Sequence, residues 1–148
     1  MNYETYMLRA CDLGKKAKHI SGDNPFVGCV LYKDGQIIGE GSTHQPGGLH
    51  AEAAAISVAI SEGFSPSKSI LFTTVEPCSF YGRTPSCAKS IVQYGISTVV
   101  IGIRDPHPKV NGAGISILRE AGIEVIEGVC EMQVREYLQS WLNGFQVK

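Results

Sequence analysis

At 148 residues the chain is long enough for one domain whose core needs no disulfide staples, since a domain of this size buries roughly two-thirds of its unfolded surface. Hydrophobic residues at 43% and charged residues at 18% exclude a disordered chain, and a formal charge of −1, from 13 basic and 14 acidic residues, gives no support to a long nucleic-acid track. No apolar run approaches the ~20 residues of a membrane span, the first four residues do not start a signal peptide, and five cysteines, an odd number, point to a reducing, cytoplasmic setting in which thiols serve a metal or the core.

Residues 2–19 read as an amphipathic helix, with Tyr3, Met7, Ala10, Gly14 and Ala17 on one face and Cys11 beside them as a packed thiol. His19 falls near its end as a structural or solvated residue. The break at 21–25 leads to a buried strand over 26–32, an Asp34-Gly35 hairpin turn and a return strand from Ile37 towards Gly41. Cys29 has no metal partner at ligand spacing and reads as core. A helix over 50–62, apolar on nearly every side, reads as internal, with His50 and Glu52 in its N-terminal turn. A strand over 69–75 ends at Glu76-Pro77-Cys78. Thr84 fits an N-cap and Pro85 the first helical position, so Cys87 falls in a first turn, where a thiol is biased towards thiolate.

That helix stops at Gly95, and a buried strand over 98–103 follows. A loop rich in Pro and Gly spans 105–114, a short helix 115–121 and a last strand 123–126. One final helix over 129–145 carries Cys130, Val134, Leu138, Trp141, Leu142 and Phe145 as an apolar stripe. The strand–helix alternation implies parallel pairing with helices on both faces.

His50-x-Glu52, Pro77-Cys78 and Cys87 together supply one imidazole, two thiols and one carboxylate near strand ends and helix starts. This matches the H-x-E…P-C-x-x-C pattern of zinc deaminases, except that eight residues rather than two separate the cysteines (87 − 78 − 1). His50, Cys78 and Cys87 would hold Zn²⁺ with a fourth position left for water, and Glu52 would move protons without binding the metal. Taken singly these residues have plainer readings, a helix cap or a core thiol; a structural zinc site would need a fourth protein ligand, and none is evident.

The sequence resembles the deaminase domain of the bifunctional riboflavin-biosynthesis deaminase/reductase, within the cytidine deaminase-like superfamily. The resemblance runs through Asn24-Pro25-x-Val27-Gly28, Gly41-x-x-His44-x-x-x-Gly48-x-His50-Ala51-Glu52 and Glu76-Pro77-Cys78-Ser79-x-Tyr81-Gly82-Arg83-Thr84-Pro85-x-Cys87. It continues in Asp105-Pro106-x-Pro108-x-Val110-x-Gly112-x-Gly114 and Ala121-Gly122-Ile123-x-Val125. It implies a three-layer α/β/α fold around a five-stranded mixed sheet, and hydrolytic removal of the 2-amino group of 2,5-diamino-6-ribosylamino-4(3H)-pyrimidinone 5′-phosphate. It also implies substrate contacts from Asn24, His44 and the Asp105 loop. The plainer roles are a turn for Asn24, an exposed loop for His44 and a helix cap for Asp105. Arg83 or Lys109 would pair with the phosphate or stand as solvated cations.

Two positions depart from the family pattern: Phe80 and His107 stand where His and Asn are usual, and both fall in the substrate-contacting loops. Rival readings are therefore a deaminase of a different heterocycle, nucleoside or specialised metabolite, a nucleic-acid base deaminase, and a non-enzymatic zinc module. Residues 1–148 read as a single deaminase domain without the reductase, either stand-alone or a fragment. The partners implied are a small, possibly phosphorylated aminopyrimidine and further copies of the chain in a dimer or tetramer, with no nucleic acid and no membrane.

Overall fold

The computed structural model describes residues 2–20, 25–44, 48–79, 86–107 and 110–145. Asn2 opens α1 (Tyr3–Lys16) by accepting the amides of Glu4 and Thr5 at 3.0 and 3.3 Å. Met7, Ala10, Cys11 and Gly14 then fall at three- and four-residue spacing on one buried face. Asp34 and Gly35, both at positive φ, join β1 (Gly28–Lys33) to β2 (Gln36–Ser42) as a hairpin. Next come α2 (Ala51–Ser61), β3 (Ile70–Val75), α3 (Cys87–Gln93), β4 (Thr98–Ile103), α4 (Ala113–Glu120) and β5 (Glu124–Glu127). The last described elements are α5 (Glu131–Tyr137), α6 (Gln139–Leu142) and a 3-10 turn (Asn143–Phe145).

The five strands form one mixed sheet in the order β2-β1-β3-β4-β5. β1 runs antiparallel to both neighbours, whereas β3, β4 and β5 are parallel. Parallel pairing is thus confined to one half of the sheet. A two-residue turn between β1 and β2 can only return the chain antiparallel, whereas α3 and α4 supply the crossovers that parallel strands require. α1 and α5 cover one face and α2, α3 and α4 the other. Covered on both sides, the central strands bury Leu71, Phe72, Val99, Val100 and Ile101 completely. Cys11 and Cys29 are buried as their packing role requires, and Cys130 is half-buried. No helix among the described residues is long and apolar enough to cross a membrane.

Three local expectations are corrected. α3 is capped by Ser86, whose side chain accepts the Lys89 amide at 3.2 Å, and not by Thr84, which lies with Pro85 outside the described residues. α2 is not internal on every side: Ala51, Ala55 and Ala59 pack against the sheet, while Val58 and Ile60 remain 42% and 47% exposed. The predicted single helix over 129–145 is broken at Leu138 (φ −94°, ψ 7°). Val134, Leu138 and Leu142 stay buried across the break, so tertiary packing overrides the continuous apolar stripe.

Candidate active site

The site begins with how closely α2 can approach β2. A Cβ on Gly39 would overlap the Ala55 carbonyl, and one on Gly41 would come within 2.5 Å of the Ala55 nitrogen. Two glycines in one strand therefore let the helix lie directly on the sheet. Its first turn, with His50 at the N-cap and Glu52 inside, is set beside the ends of β3 and α3. His50 makes no side-chain capping bond, which leaves its ring for the site.

Cys78 follows β3, and Cys87 is the first residue of α3. The two are laced together: the Cys87 amide donates to Cys78 Sγ at 3.2 Å, and the Ala88 amide to the Cys78 carbonyl at 3.0 Å. His50 Nδ1 lies 3.1 Å from Cys87 Sγ and 3.9 Å from Cys78 Sγ, and the three ligand atoms all fall within 4.8 Å of one another. Tetrahedral zinc, at ~2.3 Å from sulfur and ~2.0 Å from nitrogen, places N and S about 3.5 Å apart, midway between the two distances found. Two sulfurs and an imidazole form a soft donor set that suits Zn²⁺. No fourth His, Cys, Asp or Glu joins the cluster among the described residues, which is the arrangement of a catalytic rather than a structural zinc.

The charges are arranged for a dication. Hydrogen bonding from Cys87, then from His50, pulls the Cys78 thiol down to about 4 against the opposing effect of burial. The same contact seen from Cys87, together with burial, holds that thiol well above its usual range. A divalent metal takes both sulfurs as thiolates and would displace any proton they share. His50 is raised, first by its bond to Cys78. Glu52 is only 6% exposed, and burial, with the Cys78 charge adding to it, lifts its carboxyl to about 7. A carboxyl in that range both takes and gives protons near neutral pH.

His50, Glu52 and Cys78 open onto a cavity of about 290 Å³, whose lining also includes Asp105, His107 and Trp141. Thr43 fixes another edge, accepting the Val27 amide and donating to the Pro25 carbonyl, both at 2.9 Å. Asp105 does not cap α4, which begins at Gly112; its carboxylate accepts the His107 amide at 2.9 Å and so shapes the loop. Burial raises the Asp105 carboxyl above its ordinary value. His44 is exposed and lies outside this cavity wall, its amide donating to the Leu49 carbonyl at 3.1 Å. Asn24, Phe80, Arg83 and Lys109 lie outside the described residues.

Two residues of this site were not singled out by sequence reasoning. Trp141 reads as part of a core stripe, yet it reaches the cavity beyond the break at Leu138. Glu76 appears in the sequence only as the residue before Pro77-Cys78, but its buried carboxylate gathers four backbone amides of the Asp105 loop and α4. The one signal pointing to it was an acidic residue at the end of an otherwise apolar, β-branched strand.

Residues 1–103 match the cytidine and deoxycytidylate deaminase zinc-binding region. The riboflavin biosynthesis protein RibD of Aquifex aeolicus is 43% identical over 133 residues, which cover 90% of this chain and 36% of that protein. The chain thus spans about a third of the length of such relatives. A diaminohydroxyphosphoribosylamino-pyrimidine deaminase of Buchnera aphidicola subsp. Schizaphis graminum is 39% identical over 132 residues, 89% of this chain and 88% of its own. Among solved structures, a diaminohydroxyphosphoribosylaminopyrimidine deaminase/5-amino-6-(5-phosphoribosylamino)uracil reductase from Thermotoga maritima superposes with a TM-score of 0.89 at 44% identity. That match covers 95% of this chain and 40% of the other. The chain belongs to the family defined by the cytidine and deoxycytidylate deaminase zinc-binding region, and within it to the family of the diaminohydroxyphosphoribosylamino-pyrimidine deaminases.

Proposed function

We propose that this chain removes the 2-amino group of 2,5-diamino-6-ribosylamino-4(3H)-pyrimidinone 5′-phosphate by hydrolysis, a step of riboflavin biosynthesis. The observation that carries the reading is the convergence of His50, Cys78 and Cys87 beside a cavity lined by His50, Cys78 and Glu52. His50, Cys78 and Cys87 hold the metal. Bound Zn²⁺ supplies a Lewis acid that makes a water acidic near neutral pH. Glu52 accepts one proton from the attacking water and passes it to the ring nitrogen beside C2, then takes the second proton from the hydroxyl formed on C2 and delivers it to the departing amine. Water and the C–NH₂ group become a carbonyl and ammonia, with no net change in the protein.

Trp141 offers an aromatic face and the Asp105–His107 segment polar groups to the ring. Asn24, His44 and Phe80 contact the substrate in this reading, and Arg83 or Lys109 pairs with its phosphate. His107 in the cavity wall favours one alternative, a deaminase of a related small aminated heterocycle, because it replaces the family's usual amide with a titratable ring. The near-neutral chain charge supports a small-molecule substrate over a nucleic acid.

The enzyme works as a homo-oligomer in this reading. Its support is the groove between α2 and α3, where Leu49, Ile60 and Tyr94 are exposed together. Sedimentation at micromolar protein tests this, and a monomer refutes it. The substrate is tested by ammonia release from aminopyrimidines with and without ribose 5-phosphate. Preference for the phosphoribosyl compound is the expected result; preference for phosphate-free compounds selects the alternative.

A further inference from the structure

Glu76 closes β3 two residues before Cys78 and is 3% exposed. Its carboxylate accepts four backbone N–H groups. Oε1 takes those of Asp105 and Gly112 at 3.2 and 3.0 Å, and Oε2 those of Gly114 and Ile115 at 3.0 and 3.2 Å. Gly112, Gly114 and Ile115 open α4, where unpaired amides and the helix dipole favour a negative group. Asp105 begins the loop that, with Glu52, lines the cavity. One carboxylate thus ties both ends of that loop to the strand that delivers Cys78. A steric tie acts alongside it: Gly114 lies so close to the Pro77 carbonyl that a Cβ there would overlap it.

We propose that Glu76 is the positioning residue of the recognition loop, holding the Asp105–His107 wall at the separation from Glu52 that substrate binding requires. The assignment rests on the substrate reading above. Only a carboxylate satisfies this geometry. A glutamine has one carbonyl oxygen for two of the amides and turns its NH₂ against the other two donors. The loop then loses its fixed distance, while His50, Cys78, Cys87 and Glu52 depend on other contacts.

The test compares wild type with Glu76→Gln by zinc stoichiometry, amide exchange of the 104–118 segment, and steady-state kinetics on the aminopyrimidine the wild type deaminates best. The expected result is one zinc per chain, faster exchange confined to 104–118, and a KM raised about tenfold or more with kcat within about threefold. Unchanged exchange overturns the clamp. Faster exchange with an unchanged KM overturns the positioning role, and so does loss of zinc or a fall in kcat alone. Should Glu76→Gln fail to fold, Gly114→Ala displaces the same loop with the carboxylate intact; the same KM signature is expected there, and a normal KM overturns the proposal. A wild type that deaminates no aminopyrimidine refutes the substrate reading, and the exchange arm still decides the clamp.

Discussion

The cavity has two walls built on different principles. The metal wall takes its side chains from the starts of α2 and α3 and the end of β3, elements pinned to the sheet by glycine contacts and a buried core. The recognition wall takes its side chains from the loop after β4 and from α6, and is held by one buried carboxylate, a turn and a broken helix. Rigid elements suit atoms that must meet a metal within a few tenths of an ångström; loops suit atoms that choose among substrates. Damage to the first wall should therefore abolish turnover, and damage to the second should shift affinity.

The sharpest break is Cys87→Ser. It removes one of the three ligand atoms, the sulfur 3.1 Å from His50 Nδ1, while the Cys87 amide can still donate to Cys78 Sγ. Metal content should fall from one zinc to below about a tenth per chain, with activity undetectable, by emission spectroscopy and ammonia release. Retained stoichiometric zinc would mean that the three ligands do not act as a set. Glu52→Ala ranks next. Zinc should stay bound while kcat falls about 10³-fold, because the proton carrier is lost and the ligands are not. Near-normal turnover in that variant would remove Glu52 from the chemistry.

The two walls also differ in how much of each was legible in the sequence. His50-x-Glu52, Cys78 and Cys87 sit at element ends, and the hydrophobic run of each neighbouring element places them without tertiary information. Parts of the fold followed for the same reason: the Asp34-Gly35 turn marks the antiparallel edge and the buried runs at 70–75 and 98–103 the parallel centre, while the three-layer, five-stranded mixed sheet came with the family resemblance. Glu76 was illegible because its partners are backbone amides 29 to 39 residues away, which leave no mark in the side-chain pattern. Trp141 packs against the core as its stripe predicts, but its second place in the cavity lining was hidden because the break at Leu138 has no Gly or Pro beside it; the stripe reads as continuous while the helix is not. The shift of the α3 cap from Thr84 to Ser86 is smaller: three hydroxyl or Pro residues in a row each fit a helix start, and the geometry chooses among them.

Trp141 sharpens the comparison from the recognition side. It is the only tryptophan in the chain, so its fluorescence reports on this one position in the cavity lining. Binding of substrate or product should change that emission in a saturable way, in Glu52→Ala as well as in wild type, since binding does not need the proton carrier. Trp141→Leu keeps an apolar side chain but removes the flat face, and should raise KM several-fold with kcat little changed. Emission indifferent to ligand would return Trp141 to the core stripe that the sequence suggested.

The smallest effect belongs to Glu127, the exposed counterpart of Glu76. Both carboxylates brace the segment around Asp105, but Glu127 does so from outside, through Arg104 Nε at 2.7 Å and Arg119 at 3.2 Å. The Arg104 hydrogen bond, with the charges of both arginines, holds the Glu127 carboxyl below its usual 4.5. A carboxyl lowered by folding stabilises the native state above the unfolded value, and that contribution disappears as pH falls through the lowered folded value. Glu127→Gln should therefore be slightly less stable than wild type at pH 7, with the difference shrinking as pH falls below the usual 4.5, by urea midpoints at each pH. Its KM should be unchanged, because solvent screens an exposed pair and the loop keeps its inner clamp. A KM shift as large as that of Glu76→Gln would show that the outer ion pairs set the wall's position, and the division between a buried clamp and a solvated brace would fall.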